Sequence, residues 1–211
     1  MSNPRIYVAS LDEARRLLSS PDARDFTSII SISDGGEMNE PMAIRRAVHA
    51  EKLILFFDDL SQFTHGYSAP VSEDVAKIIE FAKSIQGTTG ECLIHCLAGI
   101  SRSAAAAIIV RTVWCHIEAA PEMFLSEVEA AVTEIFSEFP NSHPNLLLVK
   151  LADDLLGLSG NLVRITKRFM PLHASMRGLS HADVVQALDA ETESRPAIGC
   201  RQSGNRSAAP S

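Results

Sequence analysis

The sequence predicts an α/β fold, with a mostly parallel sheet of four or five strands flanked by helices. Short β-branched runs alternate with segments of helical periodicity, and this alternation is typical of strand–helix–strand units. The chain has 211 residues, of which 46% are hydrophobic, so it is long enough to bury a core without extra cross-links. No internal repeat interrupts this order.

The first predicted elements are a strand, a helix and a second strand. Arg5–Val8 is a short β-prone run that ends at the sequence Ser10-Leu11-Asp12-Glu13. This is a capping-box pattern, in which the Ser and Glu satisfy free backbone donors, so a helix is predicted over Leu11–Leu18. Thr27–Ile32 is a β-branched run closed by Asp34-Gly35-Gly36, which predicts a buried strand followed by a turn.

The middle of the chain predicts a short helix, a third strand, a loop and a longer helix. The short helix spans Met42–Val48, and the strand spans Lys52–Phe57 and ends at Asp58 and Asp59. Leu60–Pro70 is polar and contains glycine, so it is predicted to be a loop. The next helix is amphipathic because its apolar residues recur at helical spacing, namely Val75, Ile78, Ile79, Ala82 and Ile85.

A fourth strand and a buried helix follow. Gly87 and Gly90 mark the turn into the strand at Glu91–His95. Ser101–His116 is apolar nearly all round, which predicts a helix buried on every side. Three further helices are predicted, at Pro121–Phe139, Pro144–Leu156 and Asn161–Phe169.

We expect residues 1–170 to form one domain and residues 171–211 to form a C-terminal tail. From about Pro171 the hydrophobic pattern weakens, and Gly, Ser, Pro, Arg and Gln dominate the end of the chain, a composition typical of disordered termini. Ser180–Leu188 has the pattern of a short helix. The alternatives for the tail are therefore one short helix followed by disorder, or a solvated tail throughout.

Charge and hydrophobicity exclude several classes of function. The 19 Lys and Arg residues against 26 Asp and Glu give a net charge of −7, which argues against a general binder of nucleic acid or of anionic membranes. The longest apolar run near the middle, Ala104–Val110, is too short to cross a bilayer. Met1–Ser10 lacks the basic and apolar segments of a signal peptide.

Cysteine and histidine usage indicates a reducing setting without a metal. The four cysteines, Cys92, Cys96, Cys115 and Cys200, do not form the pattern of a disulfide framework. A cytoplasmic location is therefore expected. The seven histidines are scattered, and none stands at zinc-like spacing from the cysteines, so we predict no metal site and no cofactor.

The most informative segment lies between a predicted strand and a predicted helix and reads His95-Cys96-Leu97-Ala98-Gly99-Ile100-Ser101-Arg102-Ser103. A turn from strand to helix directs free backbone N–H groups and the positive end of the helix dipole at one small volume. The five residues between Cys96 and Arg102 are enough to wrap a tetrahedral oxyanion, to which the guanidinium donates two further hydrogen bonds. Gly99 permits a close backbone approach that a Cβ would obstruct.

The same surroundings favour the thiolate form of Cys96. A free thiol has a pKa near 8.5, so only about 3% of it is ionised at pH 7. A helix N-terminus, inward N–H groups and an arginine all stabilise the anion. Cys96 is therefore predicted to be a nucleophile placed under a bound phosphate.

This segment resembles the signature loop of the cysteine-dependent protein tyrosine phosphatases, H-C-x5-R-S. The form HCLAGISRS is similar to that of their dual-specificity branch, as in a small bacterial-type member, and the resemblance extends over about residues 25–157. It implies a protein tyrosine phosphatase-like fold and a phosphatase that needs neither metal nor cofactor.

The resemblance also implies a role for each residue of the loop. Cys96 would attack phosphorus to form a phosphocysteine, and Ser103 would stabilise the thiolate as it leaves in the second step. His95 would be buried and hydrogen-bonded, supporting the loop without titrating in the reaction. The phosphate would be bound by Arg102 and by the loop amides, which belong to Leu97, Ala98, Gly99, Ile100 and Ser101.

The family uses an upstream Asp as general acid, and here Asp58 and Asp59 end the third predicted strand. Laying KLILFFDD against the family's pattern puts Asp59 at the acid. Adjacent residues of an extended strand point to opposite faces, so only one of the two faces Cys96, and Asp58 stays the alternative. Pro144-Asn145 resembles the family's segment whose Asn braces the signature loop, which implies a supporting role for Asn145.

The sequence therefore predicts a phosphatase acting on phosphotyrosine, with phosphoserine and phosphothreonine left open. Its expected partner is a phosphorylated protein or another phosphomonoester, with no nucleic acid and no membrane. A phosphoinositide or RNA 5′-phosphatase is the weaker alternative, because positions 97, 98, 100 and 101 carry no cation to meet a polyanion. A non-catalytic pseudophosphatase that binds phosphoproteins is disfavoured because Cys96, Arg102 and an acid are all present.

Overall fold

The structure, a computed structural model, describes residues 3–19, 24–36, 42–62, 64–120 and 122–170. In these ranges the elements follow the predicted order. They are β1 (Arg5–Ser10), α1 (Leu11–Ser19), β2 (Phe26–Ser33), α2 (Met42–Arg46), β3 (Glu51–Phe56), α3 (Ser72–Ser84), β4 (Glu91–Cys96), α4 (Arg102–Glu118), α5 (Phe124–Glu138), α6 (Leu146–Leu156) and α7 (Asn161–Phe169). The predictions for residues 171–211 lie outside the described residues.

Three helices are shorter than predicted, and one of them, α6, begins at Leu146 and not at the predicted Pro144. Helix α2 ends at Arg46, before the predicted end at Val48, because the chain tightens there into turns. The Ala47 amide donates to the Ile44 carbonyl, and the Val48 amide donates to the Arg46 carbonyl. Helix α5 begins at Phe124, after the predicted start at Pro121.

The four strands of the described chain form one parallel sheet in the order β1-β4-β2-β3. The predicted α/β class with a mostly parallel sheet is confirmed. In a parallel sheet all strands end at the same edge, and ligands bind there, beyond the carboxyl ends. The segments that follow β2, β3 and β4 therefore converge at one edge, and β4 carries Cys96 as its last residue.

Helices cover both faces of the sheet. On one face helix α4 is buried over Arg102–Val110, and every residue of Ala104–Val110 is inaccessible to solvent. The last turn, His116–Glu118, is exposed, so the predicted burial does not extend to the end of the helix. The Trp114 indole N–H donates to the Ala82 carbonyl at 2.8 Å, which joins α4 to α3. On the other face a smaller core packs α1 and α2 against the sheet, with Ala9, Ala14, Phe26, Ile29, Ile44 and Leu93 at its centre.

Candidate active site

The loop between β4 and α4 is the centre of the candidate site. The side chains of Leu97 and Ile100 are 57% and 39% exposed, and neither offers a hydrogen-bond donor. An anion held by this loop would therefore contact backbone N–H groups. The first N–H groups of α4, which begins at Arg102, have no intrahelical acceptor and add the positive end of the helix dipole.

Gly99 is required by the shape of this loop. Its φ of 74° lies in the left-handed region, which a residue with a Cβ adopts only with strain. A Cβ at this position would also lie 2.5 Å from the Ser10 nitrogen and 2.6 Å from the Ala9 carbonyl carbon. Both neighbours are backbone atoms of the adjacent strand β1, so any larger residue would displace the loop.

The Cys96 sulfur lies at the start of α4 between two polar groups. It is 3.2 Å from the Ser103 hydroxyl and 3.3 Å from the Gly99 nitrogen, whose N–H donates to it. The residue is only 1% exposed. Hydrogen-bond donors and a helix N-terminus both favour negative charge on a sulfur atom. The structure therefore places the predicted nucleophile, Cys96, within hydrogen-bond distance of Ser103 and Gly99.

The Arg102 side chain is 3% exposed and is fixed at two of its nitrogens. Nη1 donates to the Phe57 carbonyl at 2.7 Å, and Nη2 forms an ion pair with the Asp34 carboxylate at 2.8 Å. Nε has no hydrogen-bond partner among the described residues. The guanidinium is therefore already oriented, with a buried donor left for a ligand.

Asp34 was not among the residues expected at the site. It follows β2 directly, and it lines a small pocket together with Cys96 and His95. Its carboxylate compensates the buried charge of Arg102, which would otherwise be costly to hold out of water. The signal that could have found it is its position, since an acid at the end of a strand neighbouring β4 faces the same sheet edge.

The two adjacent aspartates after β3 have different partners. One oxygen of Asp58 accepts from the Gly35 amide at 3.1 Å, and the other accepts from the Ser68 amide at 2.7 Å. Both oxygens of Asp58 are thus used to close its own loop against the loop after β2. A carboxylate occupied by two backbone donors fits a structural role better than proton transfer.

Asp59 instead faces the loop that carries Cys96 and Arg102. Its Oδ1 accepts from the Ser101 hydroxyl at 2.7 Å and from the Asn145 side-chain amide at 2.8 Å. As expected for neighbours in extended chain, Asp58 and Asp59 point to different surroundings. The structure therefore brings Asp59, Ser101 and Asn145 together and leaves Asp58 in a separate contact.

Asn145 connects the loop after β3, which carries Asp59, to helix α6. Its Oδ1 accepts from the Leu147 and Leu148 amides, which makes it the N-cap of α6. Its Nδ2 donates to the Leu60 carbonyl at 3.0 Å as well as to Asp59. Its backbone N–H donates to the Ser101 carbonyl at 3.2 Å, so this one residue contacts both loops.

His95 is buried beneath the loop and is 1% exposed. Burial lowers its pKa to about 4, an effect that exceeds the opposing influence of the nearby Cys96 backbone. The ring is therefore neutral at pH 7. Among the described residues neither ring nitrogen has a hydrogen-bond partner of standard geometry, although the Cys96 backbone interacts with the ring. The expected burial is therefore found, and the expected hydrogen bond stays a prediction.

The burial of His95 predicts a loss of stability at mildly acidic pH. In the unfolded chain its pKa is near 6.5, whereas in the folded chain it is about 4. Below pH 6.5 the unfolded chain binds a proton that the folded chain does not, so the contribution to stability is present above that pH and is lost as the pH falls toward 4. We expect His95 to lower the free energy of unfolding by about 2 kcal/mol between pH 7 and pH 5.

Urea denaturation at both pH values measures this contribution. His95→Asn should remove the His95 contribution to the pH dependence of the unfolding free energy. The same substitution at the exposed His116 should leave that contribution in place. Equal pH dependence in the His95→Asn variant and the parent protein would contradict the assignment.

The other described cysteines lie outside the loop between β4 and α4. Burial raises the pKa of the Cys92 thiol to about 12, and burial also raises the pKa of the half-buried Cys115 thiol. Both thiols are therefore protonated at neutral pH and are poor nucleophiles. The three cysteines of the described chain are free, and Cys200 lies outside the described residues.

The described residues contain no group of three or more His, Cys, Asp or Glu side chains able to hold a metal ion. None of the helices in the described part of the chain has both the length and the apolar character needed to span a bilayer.

Comparisons with known proteins bear on the fold. No protein-family model matches the chain, and no curated protein matches it either. Among solved structures, the Yvh1 phosphatase domain from Chaetomium thermophilum aligns with a TM-score of 0.50 and 20% identity, over 75% of this chain and 94% of that one. Human DUSP28 aligns with a TM-score of 0.50 and 16% identity, over 74% of this chain and 94% of that one.

The chain has the protein tyrosine phosphatase fold. The resemblance inferred from the segment His95–Ser103 is thus confirmed at the level of the fold. In the protein tyrosine phosphatase fold described here, the residues expected at the site lie at the carboxyl edge of the parallel sheet, where the segments after β2, β3 and β4 meet.

Proposed function

We propose that this protein is a phosphomonoester hydrolase that removes phosphate from phosphotyrosine through a phosphocysteine intermediate. The observation that carries the proposal is the arrangement around Cys96, whose sulfur lies 3.2 Å from the Ser103 hydroxyl and 3.3 Å from the Gly99 nitrogen. The same loop ends in the oriented, buried guanidinium of Arg102. A cysteine sulfur beside two hydrogen-bond donors and a guanidinium at the opposite end of the same loop suit the binding and attack of a phosphate group.

In the first step the Cys96 thiolate attacks phosphorus, so that an S–P bond forms and the P–O bond to the leaving group breaks. The electron pair of the broken bond stays on the leaving oxygen, which takes a proton from the Asp59 carboxylic acid. Arg102 and the loop N–H groups donate hydrogen bonds to the three other phosphoryl oxygens.

In the second step a water molecule attacks phosphorus and the S–P bond breaks. The water gives a proton to the Asp59 carboxylate formed in the first step, which restores the acid. The sulfur leaves as a thiolate. Ser103 stabilises it because its hydroxyl lies within hydrogen-bond distance of the sulfur.

The rim of the site favours an aryl phosphate over a polyanion. The exposed side chains of the loop, Leu97 and Ile100, are apolar, and positions 97–101 carry no cation. A phosphotyrosine ring can pack against apolar side chains, whereas a phosphoinositide or an RNA end would bring further negative charge without a partner.

A substrate panel tests the proposed function. We expect the wild-type protein to hydrolyse a phosphotyrosine peptide with a higher kcat/KM than a phosphoserine peptide, a phosphoinositide or a 5′-phosphorylated RNA, with no loss of rate in EDTA. A higher kcat/KM for the lipid or the RNA would favour the alternative substrate class. Tight binding of the phosphotyrosine peptide without turnover would indicate a pseudophosphatase.

The two aspartates make a matched pair of variants. Asp59→Asn should lower kcat/KM for the phosphotyrosine peptide by about 10²-fold, since general acid catalysis contributes at least that much. Asp58→Asn should lower kcat/KM less than Asp59→Asn does. It should lower the free energy of unfolding more, by about 1–2 kcal/mol, because it weakens the contacts to the Gly35 and Ser68 amides. Steady-state kinetics and thermal unfolding measure the two effects. A larger kinetic loss in Asp58→Asn would transfer the acid role to Asp58.

A further inference from the structure

The two oxygens of the Asp59 carboxylate have unequal surroundings. Oδ1 accepts hydrogen bonds from the Ser101 hydroxyl at 2.7 Å and the Asn145 amide at 2.8 Å. In the part of the chain that the structure describes, Oδ2 accepts none. An oxygen that already accepts two donors has both in-plane lone pairs occupied, so a proton on Oδ1 would displace one of these contacts.

We propose that Ser101 is a positioning residue for the general acid, and that Oδ2 of Asp59 is the oxygen that carries the transferred proton. The inference rests on the proposed function and adds to it the oxygen that reacts and the side chain that aims it. Ser101 was expected to contribute only a backbone amide to phosphate binding, whereas its hydroxyl is directed at the acid.

Ser101 is suited to this role because its backbone carbonyl is held by two hydrogen bonds. Its carbonyl accepts from the backbone N–H of Ala105 at 3.0 Å and from the backbone N–H of Asn145 at 3.2 Å. It directly precedes Arg102, the first residue of α4. A hydroxyl that reaches Asp59 from this position ties the acid to the same loop that holds the phosphate, so proton donor and phosphoryl group keep a constant separation.

The loop after β3, which carries Asp59, does little to fix the orientation of the Asp59 carboxylate. Asp59 is exposed, and the neighbouring Asp58 is directed at the Gly35 and Ser68 amides. The contacts that orient the Asp59 carboxylate therefore come from Ser101 and Asn145. Asn145 also caps α6, so replacing it would disturb a helix, and Ser101 is the cleaner site for a test.

The reaction step is the same as in the proposed mechanism, with the reacting oxygen specified. As the P–O bond breaks and its electron pair moves to the leaving oxygen, the O–H bond at Oδ2 breaks and the proton moves to that oxygen. The carboxylate that remains bears its charge on both oxygens, and the donors on Oδ1 stabilise it. Loss of Ser101 should therefore matter most when the leaving group needs a proton most.

The experiment is kcat/KM for Ser101→Ala on a series of aryl phosphates whose phenols differ in acidity. kcat/KM covers the steps up to the loss of the phenol, so it reports proton donation to that phenol. For a phenol as weakly acidic as tyrosine, with a pKa of about 10, we expect a loss of about tenfold, the size of one hydrogen bond to a charged group. For the most acidic phenols the loss should fall below about twofold, because they depart without a proton.

Two further variants separate positioning from a general effect on the loop. Ser101→Thr keeps the hydroxyl and should restore most of the rate. In an Asp59→Asn background Ser101→Ala should cost nothing further, because the group it positions is gone. Ser137→Ala on α5, where the hydroxyl donates to the Thr133 carbonyl, is the matched control and should behave as wild type.

Equal losses of rate for all leaving groups, or an additional loss in the Asp59→Asn background, would overturn the proposal while leaving the phosphatase function intact. Absence of any Cys96-dependent turnover in the wild-type protein would instead overturn the proposed function, and the inference with it. The two failures are therefore distinguishable in one set of assays.

Discussion

Cys96→Ser is expected to abolish hydrolysis of a phosphotyrosine peptide, with a loss of about 10⁴-fold or more in kcat. The serine hydroxyl is far less acidic than a thiol, so it does not supply an anion at neutral pH. The surrounding donors, Ser103 and Gly99, stabilise a negative charge that serine does not carry. Steady-state kinetics in the presence of EDTA measures the loss.

Cys115→Ser is the matched control for this substitution. Cys115 is a free cysteine on α4, well away from the loop in sequence, and its thiol is protonated. The control should retain wild-type turnover, and both variants should unfold at temperatures close to that of the parent protein. Turnover that persists in Cys96→Ser would show that Cys96 is not the nucleophile and would contradict the proposed function.

Arg102→Lys is expected to lower kcat/KM by about 10³-fold. Lysine keeps the charge but has one nitrogen where the guanidinium has three. It therefore cannot contact the Phe57 carbonyl, the Asp34 carboxylate and a phosphate at the same time. Competitive inhibition by inorganic phosphate should weaken along with the rate, because the arginine binds the anion in the ground state as well as during reaction.

Arg111→Lys provides a control on the same helix. Arg111 forms an ion pair with Glu134 and takes no part in the candidate site. Arg111→Lys therefore measures how far a change from arginine to lysine on α4 affects kcat/KM by itself. Its kcat/KM should stay within about twofold of wild type. A similar loss in both variants would mean that Arg102 acts through stability and not through the bound phosphate.

The elements could be predicted because their boundaries carry local signals. At the start of α1 the Glu13 amide donates to the Ser10 hydroxyl at 3.2 Å, which is one half of the predicted capping box. The Glu13 carboxylate accepts from the Tyr7 hydroxyl at 3.0 Å. The buried helix α4 follows from its apolar sequence alone. The strand order could not be predicted in the same way, because it depends on which strands pair across long stretches of chain.

The site could be predicted where its residues are contiguous or where the resemblance supplied them. The segment from His95 to Ser103 contains the sulfur, its donors and the guanidinium in one loop, and a resemblance to known sequences pointed to Asp59 and Asn145. The ion pair between Asp34 and Arg102 was missed because it joins segments that meet only once β2 lies beside β4. The distinct contacts of Asp58 and Asp59 likewise depend on the neighbouring loops.

The most direct test of the account is to detect the covalent intermediate. Wild-type protein is mixed with an aryl phosphate, stopped by rapid denaturation during turnover, digested and examined by mass spectrometry. We expect one phosphoryl group, attached to the sulfur of Cys96, which disappears when substrate is exhausted and is absent in Cys96→Ser. A phosphoryl group on another residue, or turnover during which the Cys96 peptide is never phosphorylated, would contradict the account.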